Sequence, residues 1–108
     1  MQTSRRSSCP LAFALDLFGD RWTLLVIRDL FHGKRHFDEF IASPERIATN
    51  ILADRLKVLT GQRLVERLHD KDDKRRFLYR LTPLGKSTGQ FLMPMIRWAR
   101  KLQRSNPK

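Results

Sequence analysis

The stretch "HDKDDKRR" at positions 69–76 sets Asp70, Asp72 and Asp73 among Lys71, Lys74, Arg75 and Arg76. Three chemistries fit such a run: a carboxylate loop for calcium, a solvated charged turn, or a basic surface for phosphate. The calcium reading fails on spacing, because the run lacks the glycine and the distal glutamate of a calcium loop. His32 and His36 stand four apart, but Gly33 breaks the helix that would bring both to one ion, and no metal is expected. No Gly-x-Ser-x-Gly, phosphate loop or plausible Cys–His pair is present, so an enzyme is the least supported class and no cofactor is expected. His36, beside Lys34 and Arg35, is instead expected near phosphate. Cys9 is the only cysteine, which rules out an intramolecular disulfide. It lies just before a helix start and beside Arg5 and Arg6, and both features favour thiolate. Oxidation of one thiol gives an intersubunit disulfide, a mixed disulfide or an adduct. The alternative for Cys9 is a small, partly buried hydrophobe.

The elements that must carry these residues follow from periodicity. Pro10 opens a helix through Leu11, Ala14, Leu15 and Phe18, and Gly19 stops it. Asp20 is expected to cap a second helix over 21–32, whose "WTLLVI" is apolar on nearly every side and belongs at the centre of the fold. "KRHF" is expected to form a brief extended link and "FDEFIA" a short helix. "SPER" reads as a turn or a helix start, with Ser43 a candidate cap and Pro44 behind it. Residues 47–60 form the next helix. Residues 64–68 and 77–81 alternate as strands, with the charged run between them as a hairpin loop. Thr82 and Pro83 open a closing helix over 83–104, which Pro94 is expected to kink or split.

On a helical wheel, Ile47, Ala48, Ile51, Leu52, Leu56, Val58 and Leu59 share one face of the 47–60 helix. Thr49, Asn50, Ala53, Lys57 and Thr60 fall opposite. That second face is polar, small and modestly charged, which suits a helix in a major groove or, equally, an ordinary solvated face. Asn50 matches a bidentate bond to adenine, and Ala53 a thymine methyl. Arg55 lands among the apolar residues, where its stem packs and its head is expected to pair with Asp38, Glu39 or a backbone carbonyl. Two short helices joined by a tight turn and followed by a hairpin describe a winged helix-turn-helix, mainly α with one small β-hairpin. Thr49, Asn50, Ala53 and Lys57 are then expected to approach bases. Arg35, Arg46, Lys71, Lys74, Arg75 and Arg76 are expected at phosphates or the minor groove.

Charge supports a polyanionic partner. The chain has 108 residues and a formal net charge of +11. Residues 1–73 hold twelve Lys/Arg against all eleven Asp/Glu, whereas residues 74–108 hold ten Lys/Arg and no acid. The alternative is a solvated basic C-terminal helix. One folded unit is expected over 9–104, with a flexible basic segment at 1–8 and a tail at 105–108. No signal peptide or membrane-spanning run is recognisable, so a cytoplasmic, nucleoid-associated protein without a membrane partner is expected.

The run "CPLAFALDLFGDRWTLLVIRDLFHGKRHFDEF" resembles the opening of HxlR-type transcriptional regulators, a branch of the bacterial winged-helix proteins. The shared residues are Cys9, Pro10, Gly19, Trp22, Thr23, Leu24, Leu25, Val26, Ile27, Arg28, Leu30, Gly33, Arg35 and Phe37. "ILADRLKVL", "GQRLVER" and "YRLTPLGKS" resemble later segments of the same family, so the likeness runs over about 9–100. Ala48, Ala53 and Arg63 depart from it, standing where the family often has a Ser or Thr cap, a Ser, and an acidic run leading into Gly-Leu-Val. The resemblance implies a homodimeric repressor or activator on a double-stranded DNA operator, with N- and C-terminal dimerisation helices. It also implies a sensing role for Cys9, since some members detect oxidants or electrophiles there; a small-molecule effector is not identified. Leu84, Phe91, Met95, Trp98 and Leu102 independently form an apolar stripe, read as a dimer seam with Leu11 and Leu15 or as intrachain packing. Two other readings stand beside this one: a winged-helix protein-interaction module and a nonspecific nucleic-acid binder.

Overall fold

The computed structural model describes residues 7–106. Arg5, Arg6 and the outer parts of the 1–8 segment and the 105–108 tail lie outside the described residues. Among the described residues, six helices and one hairpin follow in the order α1 (Pro10–Phe18), α2 (Thr23–Phe31), α3 (Phe37–Ile41), α4 (Thr49–Gly61), β1 (Val65–His69), β2 (Phe77–Leu81), α5 (Pro83–Lys86) and α6 (Gly89–Ser105). The antiparallel register pairs Val65 with Leu81, Arg67 with Tyr79 and His69 with Phe77. The Tyr79 amide donates to the Arg35 carbonyl at 2.8 Å, so the extended link before α3 lies along the free edge of β2.

The core is built where the helical periods converge. Val26, Ile27 and Leu30 of α2 meet Phe40 of α3, Leu52, Leu56 and Leu59 of α4, and Val65 and Leu81 of the hairpin base. α2 is central, as its sequence demands, and begins two residues later than expected. Asp20 is still its cap in substance: one carboxylate oxygen accepts from the Trp22 and Thr23 amides at 2.9 and 3.0 Å. Burial opposes the Asp20 charge, but the bonds from the Thr23 hydroxyl and the two amides, with Arg55 nearby, hold its pKa below the ordinary value.

Two expectations for the closing helix need correction. The break falls at Ser87 and Thr88, where the Thr88 hydroxyl donates to the Gly85 carbonyl at 2.6 Å. α6 then runs unbroken through Pro94. Pro94 and Gln90 are both exposed, so water can satisfy the Gln90 carbonyl that the proline leaves without a helical donor. Ser43 likewise caps no helix. It is 5% exposed and joins a polar cluster beneath the turn between α3 and α4. Its hydroxyl donates to Asp29 and receives the Lys34 ammonium at 2.6 Å. Asp29 also accepts from Arg28, and Arg28 grips Glu45 through two bonds of 2.8 Å.

That grip gives a pH dependence. The Arg28 hydrogen bonds pull the Glu45 carboxyl from its ordinary 4.5 to about 2. A carboxylate with a lowered folded pKa stabilises the fold above its unfolded value, and the gain disappears as pH falls through the folded one. Glu45→Gln is therefore expected to lower the melting temperature at pH 7 and to match the wild type near pH 2. Solvent screening keeps the difference below about 1 kcal/mol. A thermal melt series between pH 7 and 2 checks it; a gap that persists unchanged at pH 2 would refute the ion-pair origin.

Candidate nucleic-acid interface

α4 begins two residues later than expected and presents the face that its sequence pattern describes, except that Ala48, read as part of the apolar face, is exposed. Ile47, Leu52, Leu56 and Leu59 are buried, while Thr49, Asn50, Ala53 and Lys57 are all exposed. Ala48 is the N-cap and makes no side-chain capping bond, so the first turn of α4 is left open on its polar side. Arg55 packs half-buried as expected but with different partners. It bonds Asp54 on its own helix, sits 3.5 Å from Asp20 and reaches the Thr23 hydroxyl at 3.3 Å. Asp38 and Glu39 lie on α3, whereas the Arg55 side of α4 faces the start of α2.

The charged loop is organised by its acids. The Asp70 carboxylate accepts the Asp72 amide at 2.8 Å, and the Asp73 carboxylate accepts the Arg75 amide at 3.1 Å. The Asp70 amide closes the turn onto the Arg76 carbonyl at 2.9 Å. The amide of Asp72, first, and then His36 hold the Asp70 carboxyl below its ordinary pKa. Asp70 and Asp73 therefore cap the turn, a role beyond that of the solvated charged turn that the sequence offered. Lys71 and Lys74 project from the loop with no acidic partner among the described residues. Arg75 pairs with Asp73 at 3.3 Å yet is 92% exposed. Arg76 reaches Asp38 at 3.0 Å in an exposed pair that leaves other guanidinium donors free.

His36, expected near phosphate, has acidic neighbours in the structure. Its ring bonds the Asp70 carboxylate at 2.8 Å and lies 3.5 Å from Glu39. The ring thus ties the hairpin to the start of α3. Arg35 beside it is exposed and has no acidic partner among the described residues; the same holds for Arg46.

Two cations escaped the sequence reading. Arg67 lies over the Phe77 ring at 4.1 Å, and His69 packs on the same ring at 4.8 Å between centroids. Register puts all three on one face of the hairpin. Arg63 follows α4 with φ of 62°, and Arg46 precedes it with φ of 59°. Left-handed backbone costs a non-glycine residue about 1–2 kcal/mol, and here two arginines accept it at either end of one helix. Lys57, Arg63 and Arg67 line an open groove of about 670 Å³ between α4 and the hairpin, floored by Phe37, Leu56 and Tyr79. The alternation of Val65, Arg67 and His69 was the available signal for Arg67; for Arg63 there was none.

Cys9 is exposed and stands at the N-cap of α1. Among the described residues no group of three or more His, Cys, Asp or Glu is placed to hold a metal ion, and no helix is long and apolar enough to cross a membrane.

A small-residue polar helix, a basic hairpin beside it and a tight turn before it define a winged helix-turn-helix of the transcription-regulator class. The chain belongs to the HxlR-like helix-turn-helix family, whose model matches residues 17–106. An uncharacterised HTH-type transcriptional regulator of Mycobacterium tuberculosis is 35% identical over 85 residues, which cover 79% of this chain and 53% of that protein. The chain thus spans about half the length of its mycobacterial relatives. YodB, an HTH-type transcriptional regulator of Bacillus subtilis, is 33% identical over 92 residues, covering 84% of this chain and 82% of YodB. The reduced form of YodB superimposes with a TM-score of 0.73 at 31% identity, over 94% of this chain and 99% of that one. YodB has also been solved quinone-bound and diamide-treated.

Proposed function

We propose that this transcriptional regulator is a sequence-specific DNA-binding homodimer acting on a pseudo-palindromic operator. The observation that carries it is the pairing of the exposed Thr49–Asn50–Ala53–Lys57 face with a hairpin loop whose Lys71 and Lys74 lack acidic partners among the described residues. In this reading Thr49, Asn50, Ala53 and Lys57 approach bases. Arg35, Arg46, Lys71, Lys74, Arg75 and Arg76 meet phosphates or the minor groove, joined by Arg63 and Arg67 in the groove. Leu11 and Leu15 on α1 and Phe91, Met95, Trp98 and Leu102 on α6 are between 42% and 66% exposed, an apolar surface that supports a seam between two copies. Leu84 belongs to the separate helix α5 and stands outside that stripe. In this reading the protein works in the cytoplasm, at the nucleoid.

Selection from random duplexes tests this. A twofold dimer selects two half-sites about one helical turn apart. Asn50→Ala is then expected to change base preference at one position, by about 1–3 kcal/mol. Lys74→Ala is expected to weaken all sequences alike and to flatten the salt slope by about 0.9. Equal scaling of all sites by both variants would overturn the role assignment. Binding without a motif supports a nonspecific binder, and no binding supports a protein-interaction module. A redox or electrophile response at Cys9 is supported by its exposure and by the quinone- and diamide-treated forms of YodB. Repeating the selected-operator titration after diamide, with Cys9→Ser alongside, tests it; an identical response in both proteins ends the sensor idea.

A further inference from the structure

α6 divides into three sectors when its residues are set about 100° apart. Leu92 is buried, with Ile96 and Ala99 half-buried beside it, and this sector meets the core. Phe91, Met95, Trp98 and Leu102 make the exposed apolar sector. Arg97, Arg100, Lys101 and Arg104 fill a third arc of roughly 100°. All four are exposed, and none has an acidic partner among the described residues. No acid occurs anywhere in residues 74–108, so nothing on this helix offsets them.

We propose that this basic face of α6 is a second contact for the phosphates of duplex DNA, independent of base sequence and carried by a different helix from the base-reading face. Arg97 to Arg104 spans about 10 Å of helix axis. One strand of duplex carries a charge per ~3.4 Å of its axis, so that span meets about three phosphates. The content of the arc favours this partner over an acidic protein. Protein interfaces are anchored by buried apolar or aromatic side chains, and between Arg97 and Arg104 the arc holds only cations. The exposed apolar residues of α6 lie in the neighbouring sector, which the proposed dimer seam covers, except Met93, which precedes the four cations by one turn on their own side. An anionic membrane would need that apolar sector to be free.

The inference rests on the DNA-binding reading but is tested without an operator. The full chain is titrated with a labelled random-sequence duplex over a range of KCl concentrations. Arg100→Gln with Arg104→Gln is compared with Arg21→Gln and Lys86→Gln, which remove the same charge from exposed positions outside the arc. The arc variant is expected to lower the salt slope by about 1.8, and the control pair by much less. Equal changes in both would show a bulk charge effect and overturn the proposal. An unchanged DNA slope in the arc variant, with lost binding to phosphatidylserine vesicles or to poly-glutamate, would overturn it in favour of a membrane or an acidic protein. Circular dichroism confirms folding, and Arg100→Lys with Arg104→Lys is expected to restore the slope. If the wild type selects no operator, the regulator reading fails while the difference in slope still decides this one.

Discussion

Asp29→Ala is expected to cost about 3–5 kcal/mol of folding stability, although Asp29 lies on no predicted contact surface. The carboxylate is 5% exposed and is the point where three elements meet. From α2 itself, Arg28 donates twice to it, at 2.9 and 3.1 Å. The Ser43 hydroxyl donates from the turn after α3, and the Lys34 ammonium stands 3.9 Å away on the link before α3. Removing the acid leaves a buried hydroxyl without its acceptor and two cations without their shared anion, and a buried group stripped of its partner bears the full desolvation penalty. In a domain of this size each kcal/mol moves the midpoint by about 4–8 °C, so the melting temperature should fall on the order of 15–30 °C. Asp29→Asn keeps one acceptor and should fall between that variant and the wild type. A loss below about 1 kcal/mol in urea titration would mean that the cluster is effectively solvated and that Asp29 is an ordinary surface acid. The same cluster fixes the turn that sets α3 against α4, so a folded Asp29→Asn should also bind DNA less tightly.

The elements and the exposed polar face of α4 were legible because they depend on local period. Thr49, Asn50, Ala53 and Lys57 separate from Leu52, Leu56 and Leu59 by angle alone, and the hairpin follows from alternation around a charged turn. What stayed hidden depends on which distant residues the fold brings together. His36 and Asp70 are 34 positions apart, and no spacing rule announces that the ring will be consumed by that acid. Arg55 was rightly read as an arginine packed into an apolar face, but its partner is set by how α4 crosses the start of α2. The loop acids were read by charge, whereas Asp70 and Asp73 act chiefly as acceptors for their own backbone. Pro94 was weighed as a helix breaker without knowing that Gln90 and Pro94 would face water. Arg63 stood out only as a departure from the family pattern; its left-handed backbone was invisible because such a position is normally signalled by glycine or asparagine, and here an arginine holds it.

Gly85 and Gly61 look alike in the sequence, each a glycine within or at the end of a helix, yet they should respond in opposite directions to alanine. A Cβ on Gly85 would sit 1.9 Å from the Leu64 carbonyl oxygen, 2.9 Å from its carbon and 3.0 Å from Leu81 Cδ2. The obstacle is backbone and is held in place. The Leu64 carbonyl accepts the Thr82 amide at 3.0 Å, and the Leu64 amide donates to the Leu59 carbonyl at 3.0 Å. The Thr82 hydroxyl accepts the Gly85 amide at 3.0 Å while donating to the Arg63 carbonyl at 2.7 Å. The first turn of α5 is thus clamped against the base of the hairpin, and a methyl group can enter only by breaking that clamp. Overpacking of a well-filled site costs about 1–3 kcal/mol where side chains can yield; with backbone as the obstacle we expect Gly85→Ala to reach the top of that range or exceed it. A Cβ on Gly61 meets nothing within 4 Å. Gly61→Ala should therefore stabilise the protein by about 0.4–1 kcal/mol, by reducing the freedom of the unfolded chain. Chemical denaturation of the two variants side by side checks both signs. A Gly85→Ala protein as stable as the wild type would show that α5 is not clamped to the hairpin, and the path of the chain from the wing into α6 would need to be redrawn.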